Sequence, residues 1–234
     1  MHANVDPAAV LALWERGLGQ PASARATALL DGAPQTLGER NVMLLAVHVR
    51  LFGRTLALRS PCARCGTAAE FAVDCEALLA QLPAARGPLR HMLEAEGHVV
   101  AFRLPGPADL VAVSDAAGDE FVLRLVESCV LDCRHGETPV PPRDLPEPLL
   151  DALSRRMEAL DAAATLAFAV ECPQCATRWQ ASFDAGLALW QKVQAAAERV
   201  LLEIDALARA YGWTESEVLK LSPLRRAAYL QLAA

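Results

Sequence analysis

The residues of this chain that could do chemistry are four cysteines in two Cys-x-x-Cys pairs. Cys62 and Cys65 form the first pair, and Cys172 and Cys175 form the second. This spacing lets both sulfurs of a pair point to one side of a tight turn, where they can bind a metal ion or exchange a disulfide. One pair cannot complete a tetrahedral site, which takes four ligands. We therefore predict that the two pairs share one structural Zn²⁺ ion.

The local context of both pairs favours metal binding over redox chemistry. Each pair lies between two segments of alternating hydrophobicity, "RTLALRS" and "AAEFAVD" for the first and "ATLAFAVE" and "TRWQASF" for the second. This pattern predicts a β-hairpin with the cysteines at its tip. A thioredoxin-like pair should instead open a helix after a strand, so a thiol–disulfide enzyme is the weaker alternative. Four unrelated thiols would have to share the same spacing and the same context twice by coincidence.

The two pairs are far apart in the chain, with residues 66–171 between them. The entropic cost of closing such a loop rises only slowly with its length, and a structural zinc ion can contribute on the order of 10 kcal/mol. A shared site is therefore compatible with the separation. It requires the intervening residues to fold as an insertion between the two hairpins.

The other cysteines and the histidines do not predict a second metal site. Cys75 follows a strand, and Cys129 and Cys133 are predicted to share one face of a helix, so we expect all three to pack in the core. His48 lies on the apolar face of its helix, where a buried, hydrogen-bonded histidine is expected. Since the chain contains no Gly-rich phosphate loop, GxSxG motif or HExxH motif, we expect no enzymatic activity.

The elements that must position the cysteines predict an α+β fold that is mostly helical. Residues 1–53 are predicted to be helical, with a capping box at Thr36–Glu39 that opens a helix ending near Phe52. Residues 54–183 are predicted to form a small antiparallel β-core of the zinc-ribbon type. Residues 184–234 are predicted to form a long helix followed by two short helices.

The insertion between the cysteine hairpins is predicted to mix strands and helices. A short helix over about Glu76–Leu82 is followed by a hairpin that turns at Glu96-Gly97, and "ADLVAV" and "DEFVLRLVESCVLD" are predicted to be helical. Residues 134–148 hold five prolines and are predicted to be a linker. An amphipathic helix, "LPEPLLDALSRRMEAL", then leads to the second cysteine hairpin.

The long helix shows the alternating three- and four-residue steps of a coiled-coil seam. The positions of this seam are Leu187, Trp190, Gln194, Ala197, Leu201, Ile204, Ala208 and Tyr211. Such a seam can pair with a second copy of the chain or pack internally. The last helix has an apolar side, with Leu221, Leu224, Tyr229 and Leu230, that can dock on a partner protein or fold back on the long helix.

Composition restricts the classes of partner. The 234 residues carry a net charge of −6 and no run of Lys and Arg, so nucleic-acid binding is not expected. A zinc-ribbon nucleic-acid or transcription adaptor is the alternative function.

The first apolar stretch lacks a basic segment before it and is interrupted by Glu15 and Arg16, so we expect no signal peptide and no membrane span. The expected location is the cytoplasm, where thiols stay reduced.

Three segments of the chain resemble a known family. "TLGERNVMLLAVHVRLFG", "CPQCATRWQASFD" and "LLEIDALARAYGWTESEVLKLSPLRRAAYLQL" are similar to the baseplate hub assembly chaperones of contractile phages and extracellular contractile injection systems, a group related to T-even phage baseplate-hub proteins. The similarity covers roughly residues 36–75 and 165–232. It implies a non-enzymatic protein that binds hub, spike or wedge components during baseplate assembly. The resemblance implies nothing about the two Cys-x-x-Cys pairs, so the zinc prediction depends on spacing alone.

Overall fold

The computed structural model describes residues 6–82 and 89–233 and has the predicted mixed, mostly helical fold. The first part contains the helices α1 (Pro7–Gly17), α2 (Ala22–Ala28) and α3 (Leu37–Phe52), the strands β1 (Thr55–Pro61) and β2 (Ala68–Asp74), and the helix α4 (Cys75–Gln81). The last part contains β7 (Leu166–Glu171), β8 (Arg178–Phe183), α8 (Ala185–Tyr211), α9 (Glu215–Leu219) and α10 (Pro223–Ala233).

The insertion between the two cysteine hairpins has its own sheet. Its elements are β3 (His91–Ala95), β4 (His98–Phe102), α5 (Pro107–Ala112), α6 (Gly118–Cys129), β5 (Val130–His135), β6 (Thr138–Pro139), a 3-10 turn (Pro142–Asp144) and α7 (Glu147–Leu160). The four strands pair in the order β3-β4-β5-β6. The hairpin turn at Glu96-Gly97 is confirmed, and both residues have positive φ, 51° and 71°.

Side-chain caps set the ends of the main helices. Thr36 Oγ1 accepts a hydrogen bond from the Glu39 N–H at 3.1 Å at the start of α3. Asp184 Oδ1 accepts one from the Gly186 N–H at 2.8 Å at the start of α8, and Gly212 ends that helix in the left-handed conformation. These caps satisfy backbone groups that have no partner inside a helix.

The first and last parts of the chain share the main hydrophobic core. Side chains from α1, α2, α3, β1, α4, β7 and the first turns of α8 meet there, and the buried set includes Leu13, Leu29, Leu44, Leu45, Leu56, Cys75, Leu166, Leu189 and Val193. Within residues 6–82 and 89–233, the strands of each cysteine hairpin pair antiparallel with each other only, over Thr55↔Asp74 to Pro61↔Ala68 and over Leu166↔Phe183 to Glu171↔Arg178. Isolated two-stranded hairpins are marginally stable in water, so this core supports them.

The insertion builds a separate core. Its buried side chains are Val100, Phe102, Val126, Cys129, Cys133, Leu145, Leu149, Leu153 and Met157. The helix predicted over residues 119–132 is too long, since α6 ends at Cys129 and β5 follows. Cys129 and Cys133 are both buried, but they do not share a helix face. Pairing of β5 with β4 supplies the backbone hydrogen bonds that a longer helix would have supplied, and the Arg103 N–H donates to the Cys129 carbonyl at 2.9 Å.

The linker predicted at residues 134–148 is largely ordered structure. It contains the end of β5, the short strand β6, the 3-10 turn and the start of α7. The Val140 N–H donates to the Cys133 carbonyl at 2.8 Å and extends the sheet. Proline is tolerated here because β6 is an edge strand and because proline suits the first turn of a helix.

Helix α8 packs against α1, α2, α3 and α10. Its buried side chains include Leu189, Trp190, Val193, Ala196, Ala197 and Leu207. Four positions of the predicted seam, Leu187, Gln194, Leu201 and Tyr211, are exposed instead. The buried stripe therefore lies to one side of the predicted seam, because several neighbouring helices cover α8 within the same chain.

Over the part of the chain described here, no helix is both long enough and apolar enough for a membrane crossing.

Candidate metal centre

The structure brings all four cysteines of the two pairs together. The sulfurs of Cys62 and Cys175 are 3.7 Å apart, and those of Cys65 and Cys172 are 3.6 Å apart. All four Sγ atoms lie within 4.8 Å of one another, and they form a group that could hold a metal ion. Each close contact joins one hairpin to the other, so the site exists only where the hairpins meet.

The sulfur spacing fits a four-coordinate metal better than a disulfide. A regular tetrahedron with Zn–S bonds of about 2.3 Å has S···S edges of about 3.8 Å. A disulfide would bring two sulfurs to about 2.05 Å. All seven cysteines are free thiols in this structure. Four protein sulfurs would occupy all four coordination positions of a tetrahedral ion. The arrangement therefore suits a structural role and leaves no position for a substrate.

The two cysteine turns have the same backbone geometry. In the first turn, the Cys62 N–H donates to the Thr67 carbonyl at 2.9 Å and the Gly66 N–H donates to the Cys62 carbonyl at 2.9 Å. In the second turn, Cys172 and Thr177 form the same bond at 2.9 Å, and the Ala176 N–H donates to the Cys172 carbonyl at 3.0 Å. The shared pattern is Cys-x-x-Cys-(Gly/Ala)-Thr. Its threonines were not singled out in the sequence prediction, although their repetition was a visible signal.

These threonines make the second cysteine of each pair easier to ionise. Hydrogen bonds from the Thr177 side chain and backbone lower the pKa of Cys175 to about 6. The corresponding bonds from Thr67 lower the pKa of Cys65. Because the thiolate is the form that binds metal, both turns favour the ligand form of their second cysteine.

The first cysteine of each pair is the buried one. Cys62 and Cys172 are each 2% exposed. The backbone amides of Cys175 and Gln174 act to lower the pKa of Cys172, but burial and the adjacent Cys175 and Cys65 thiols outweigh them and raise it to about 11. A bound cation would oppose this effect by compensating the charge of the thiolates.

Contacts beyond the cysteines hold the two hairpins against each other. The Trp179 Nε1–H of β8 donates to Ser60 Oγ of β1 at 3.3 Å. The side chains of Thr67 and Gln174 hydrogen-bond across the two turns. A small apolar cluster lies beside these contacts and consists of Ala69, Phe71, Phe168, Val170, Trp179 and Ala181. These contacts help to hold the two hairpins, and with them the four sulfurs, against each other.

The remaining candidates lie outside this site. Cys75 is buried in the main core, as expected, and burial raises its pKa. Burial also raises the pKa of Cys129 to about 11 in the insertion core. His48 is buried as predicted. No hydrogen bond of regular geometry to its ring is found among the residues that the structure describes, although the Gly53 backbone lies close enough to raise its pKa.

Comparison with known proteins adds no relative. No family model, curated protein or solved structure matches the chain.

Proposed function

We propose that this protein is a non-enzymatic assembly chaperone or adaptor whose fold is crosslinked by one structural zinc ion. Cys62, Cys65, Cys172 and Cys175 bind the ion, and helical surfaces bind hub, spike or wedge proteins of a contractile tail. The observation that carries the zinc assignment is the convergence of four sulfurs from two distant hairpins at spacings close to a tetrahedral edge. Thiolates are the ligands that select zinc in closed four-coordinate sites.

The partner assignment is supported by the C-terminal segment, which carries most of the family resemblance. Helix α10 folds back on α8 through Arg226, whose Nε–H donates to Glu203 Oε2 at 2.9 Å. The Tyr211 hydroxyl donates to the Tyr229 carbonyl at 3.1 Å. Leu224 and Leu232 nevertheless remain 85% and 78% exposed. Apolar side chains exposed to this degree near a folded helical hairpin suit contact with another protein.

Metal analysis of the purified protein tests the zinc site. We expect about one zinc ion per chain, and we expect Cys172→Ser to lower both the zinc content and the melting temperature because three sulfurs cannot complete the site. Cys129→Ala is the matched control, since it removes a buried thiol that lies in the other core. A wild-type protein that stays fully folded and unchanged in stability after EDTA treatment would refute a stabilising metal.

Co-purification tests the partner. The wild-type chain, expressed with hub, spike and wedge proteins of a contractile tail, is expected to retain one of them through size-exclusion chromatography. Leu224→Glu combined with Leu232→Glu should weaken this association without changing zinc content, because both side chains are exposed. Salt-sensitive binding to DNA or RNA, with no retention of tail proteins, would favour the nucleic-acid adaptor instead.

A further inference from the structure

A second polar site lies away from the cysteines, in a cleft of about 490 Å³. The cleft forms where the start of α1, the end of α3 and the start of α10 meet the middle of α8. Its polar and charged lining consists of His48, Thr55, Lys192, Arg199, Glu203 and Arg226. This volume lies within the range of about 300–1,000 Å³ typical of small-molecule sites.

The cleft is positively charged although the chain as a whole is negative. Arg226 and Glu203 form an ion pair at 2.9 Å and neutralise each other. Within the described ranges, Lys192 and Arg199 form no ion pair, and the Arg199 Nε–H bonds only to the Ala195 carbonyl of its own helix, at 3.3 Å. Two cationic side chains, both exposed to solvent, therefore line the cleft without an acidic partner among the described residues, in a chain of net charge −6.

Helix geometry places Lys192 and Arg199 on the same face of α8, at two positions along the cleft. Lys192 and Arg199 are seven positions apart on α8, so they share a face and their backbones are separated by about 10 Å along the helix. Both line the same cleft, and their long side chains can converge on a group bound between them. An arginine fork suits the paired oxygens of carboxylate or phosphate, and lysine adds a point charge.

The buried imidazole ring of His48 forms part of the cleft lining. The residue is 2% exposed, and neither ring nitrogen has a hydrogen-bond partner of regular geometry among the described residues. Burial lowers the pKa of His48 and the charge of Lys192 lowers it further, whereas a backbone hydrogen bond of irregular geometry with Gly53 raises it. An unsatisfied buried polar group costs about 1–3 kcal/mol, so a bound anion that approached the ring could recover part of this cost.

We propose that this cleft binds a small oxyanion, a carboxylate or a phosphate, between Lys192 and Arg199 and against His48. The site uses none of the four cysteines and none of the exposed leucines of α10. Although Arg226 and Glu203 belong to the C-terminal segment, anion binding is measured without a tail protein, so this proposal can fail while the zinc site and the partner assignment stand.

Titration of the zinc-loaded full chain with inorganic phosphate, and separately with succinate, tests the site. Thermal unfolding and the ring signals of His48 are followed at constant ionic strength, with His48→Asn used to assign the signals. We expect millimolar anion to raise the melting temperature and to raise the pKa of His48, because the anion offsets the charge of Lys192. A response to phosphate alone or succinate alone would identify the preferred oxyanion.

Matched double variants separate the cleft from general charge effects. Lys192→Gln with Arg199→Gln removes both cations of the cleft and should weaken anion binding about tenfold or more. Lys220→Gln with Arg155→Gln makes the same charge change outside the cleft, at exposed positions that form no ion pair within the described residues, and should leave binding unchanged. The proposal is overturned if neither anion changes the wild type, or if both double variants respond as the wild type does.

Discussion

Gly66 and Ala176 occupy equivalent positions, directly after the second cysteine of each pair. Both have left-handed backbones, with φ of 74° and 54°. Glycine adopts this conformation without steric cost, whereas alanine pays roughly 1 kcal/mol for it. The second turn therefore keeps the metal-binding geometry at a cost that the first turn avoids.

Exchanging these residue types should have opposite effects on stability. We expect Ala176→Gly to raise the free energy of unfolding by about 0.5–1 kcal/mol and Gly66→Ala to lower it by about 1–2 kcal/mol. Chemical denaturation of the zinc-loaded proteins measures both, with zinc content as the control for an intact site. Two changes of the same sign would show that φ is not the deciding factor.

At the scale of elements, the segment that leaves the insertion is fastened to the start of α3. The Asn41 Nδ2 group donates to the carbonyls of Ala163 and Ala164 at 2.8 and 3.1 Å. Asp161 Oδ2 accepts a hydrogen bond from the Gly38 N–H at 2.9 Å. These bonds connect residues more than 100 positions apart and lead directly into β7. They therefore help to fix the orientation of the second cysteine hairpin relative to the first.

Removing the Asn41 amide should destabilise the fold. Asn41 is 3% exposed, and Asn41→Leu leaves two backbone carbonyls without this donor. We expect a loss of about 2–3 kcal/mol in the free energy of unfolding, measured by urea titration. Gln194→Leu, which removes an exposed amide on α8, should change stability by less than about 0.5 kcal/mol. Equal effects of both substitutions would argue against a role for the carbonyl contacts.

Close packing at the start of α8 should reverse the usual preference for alanine in helices. A Cβ atom added at Gly186 would lie 2.5 Å from the Ala26 Cβ of α2. Gly→Ala inside an exposed helix stabilises by about 1 kcal/mol, but here we expect Gly186→Ala to destabilise by about 1–3 kcal/mol. Thermal unfolding measures the change. An increase in melting temperature would mean that α2 moves away at little cost.

At the scale of the whole molecule, the metal site and the insertion depend on different cores. The core of the insertion contains none of the four site cysteines, whereas the cysteine hairpins meet the main core through Leu56 and Leu166. Loss of the ion should therefore loosen one part of the protein more than the other. Cooperative unfolding of the whole chain in one step is not expected after metal removal.

Hydrogen exchange before and after chelation measures this difference. We expect amides of β1, β2, β7 and β8 to exchange about tenfold faster or more without zinc, while β4 and α7 keep their protection. The Cys172→Ser protein should show the same regional pattern without chelator. A uniform increase across both regions would show that the ion stabilises the whole chain as one unit.

The local features of the metal site could be predicted from the sequence. Alternating apolar residues around each Cys-x-x-Cys pair predicted the two hairpins, and cap residues such as Thr36 and Asp184 marked the helix starts. Both signals depend on neighbouring residues, and the tertiary packing at these positions agrees with them. The boundary at Cys129 was wrong, because pairing with β4 turned "VLDC" into a strand. The sequence also predicted a hydrogen-bonded His48, but it did not indicate a partner. Among the described residues, the ring has no hydrogen bond of regular geometry.

By itself, the sequence determined the element types near the cysteines, because period and capping act over a few residues. Only the tertiary structure decided that the two turns meet at sulfur distances of 3.6 and 3.7 Å. It also decided which face of α8 is buried, and that Lys192 and Arg199 line one cleft with His48. These outcomes depend on how distant segments pack against one another, and no local pattern records that packing.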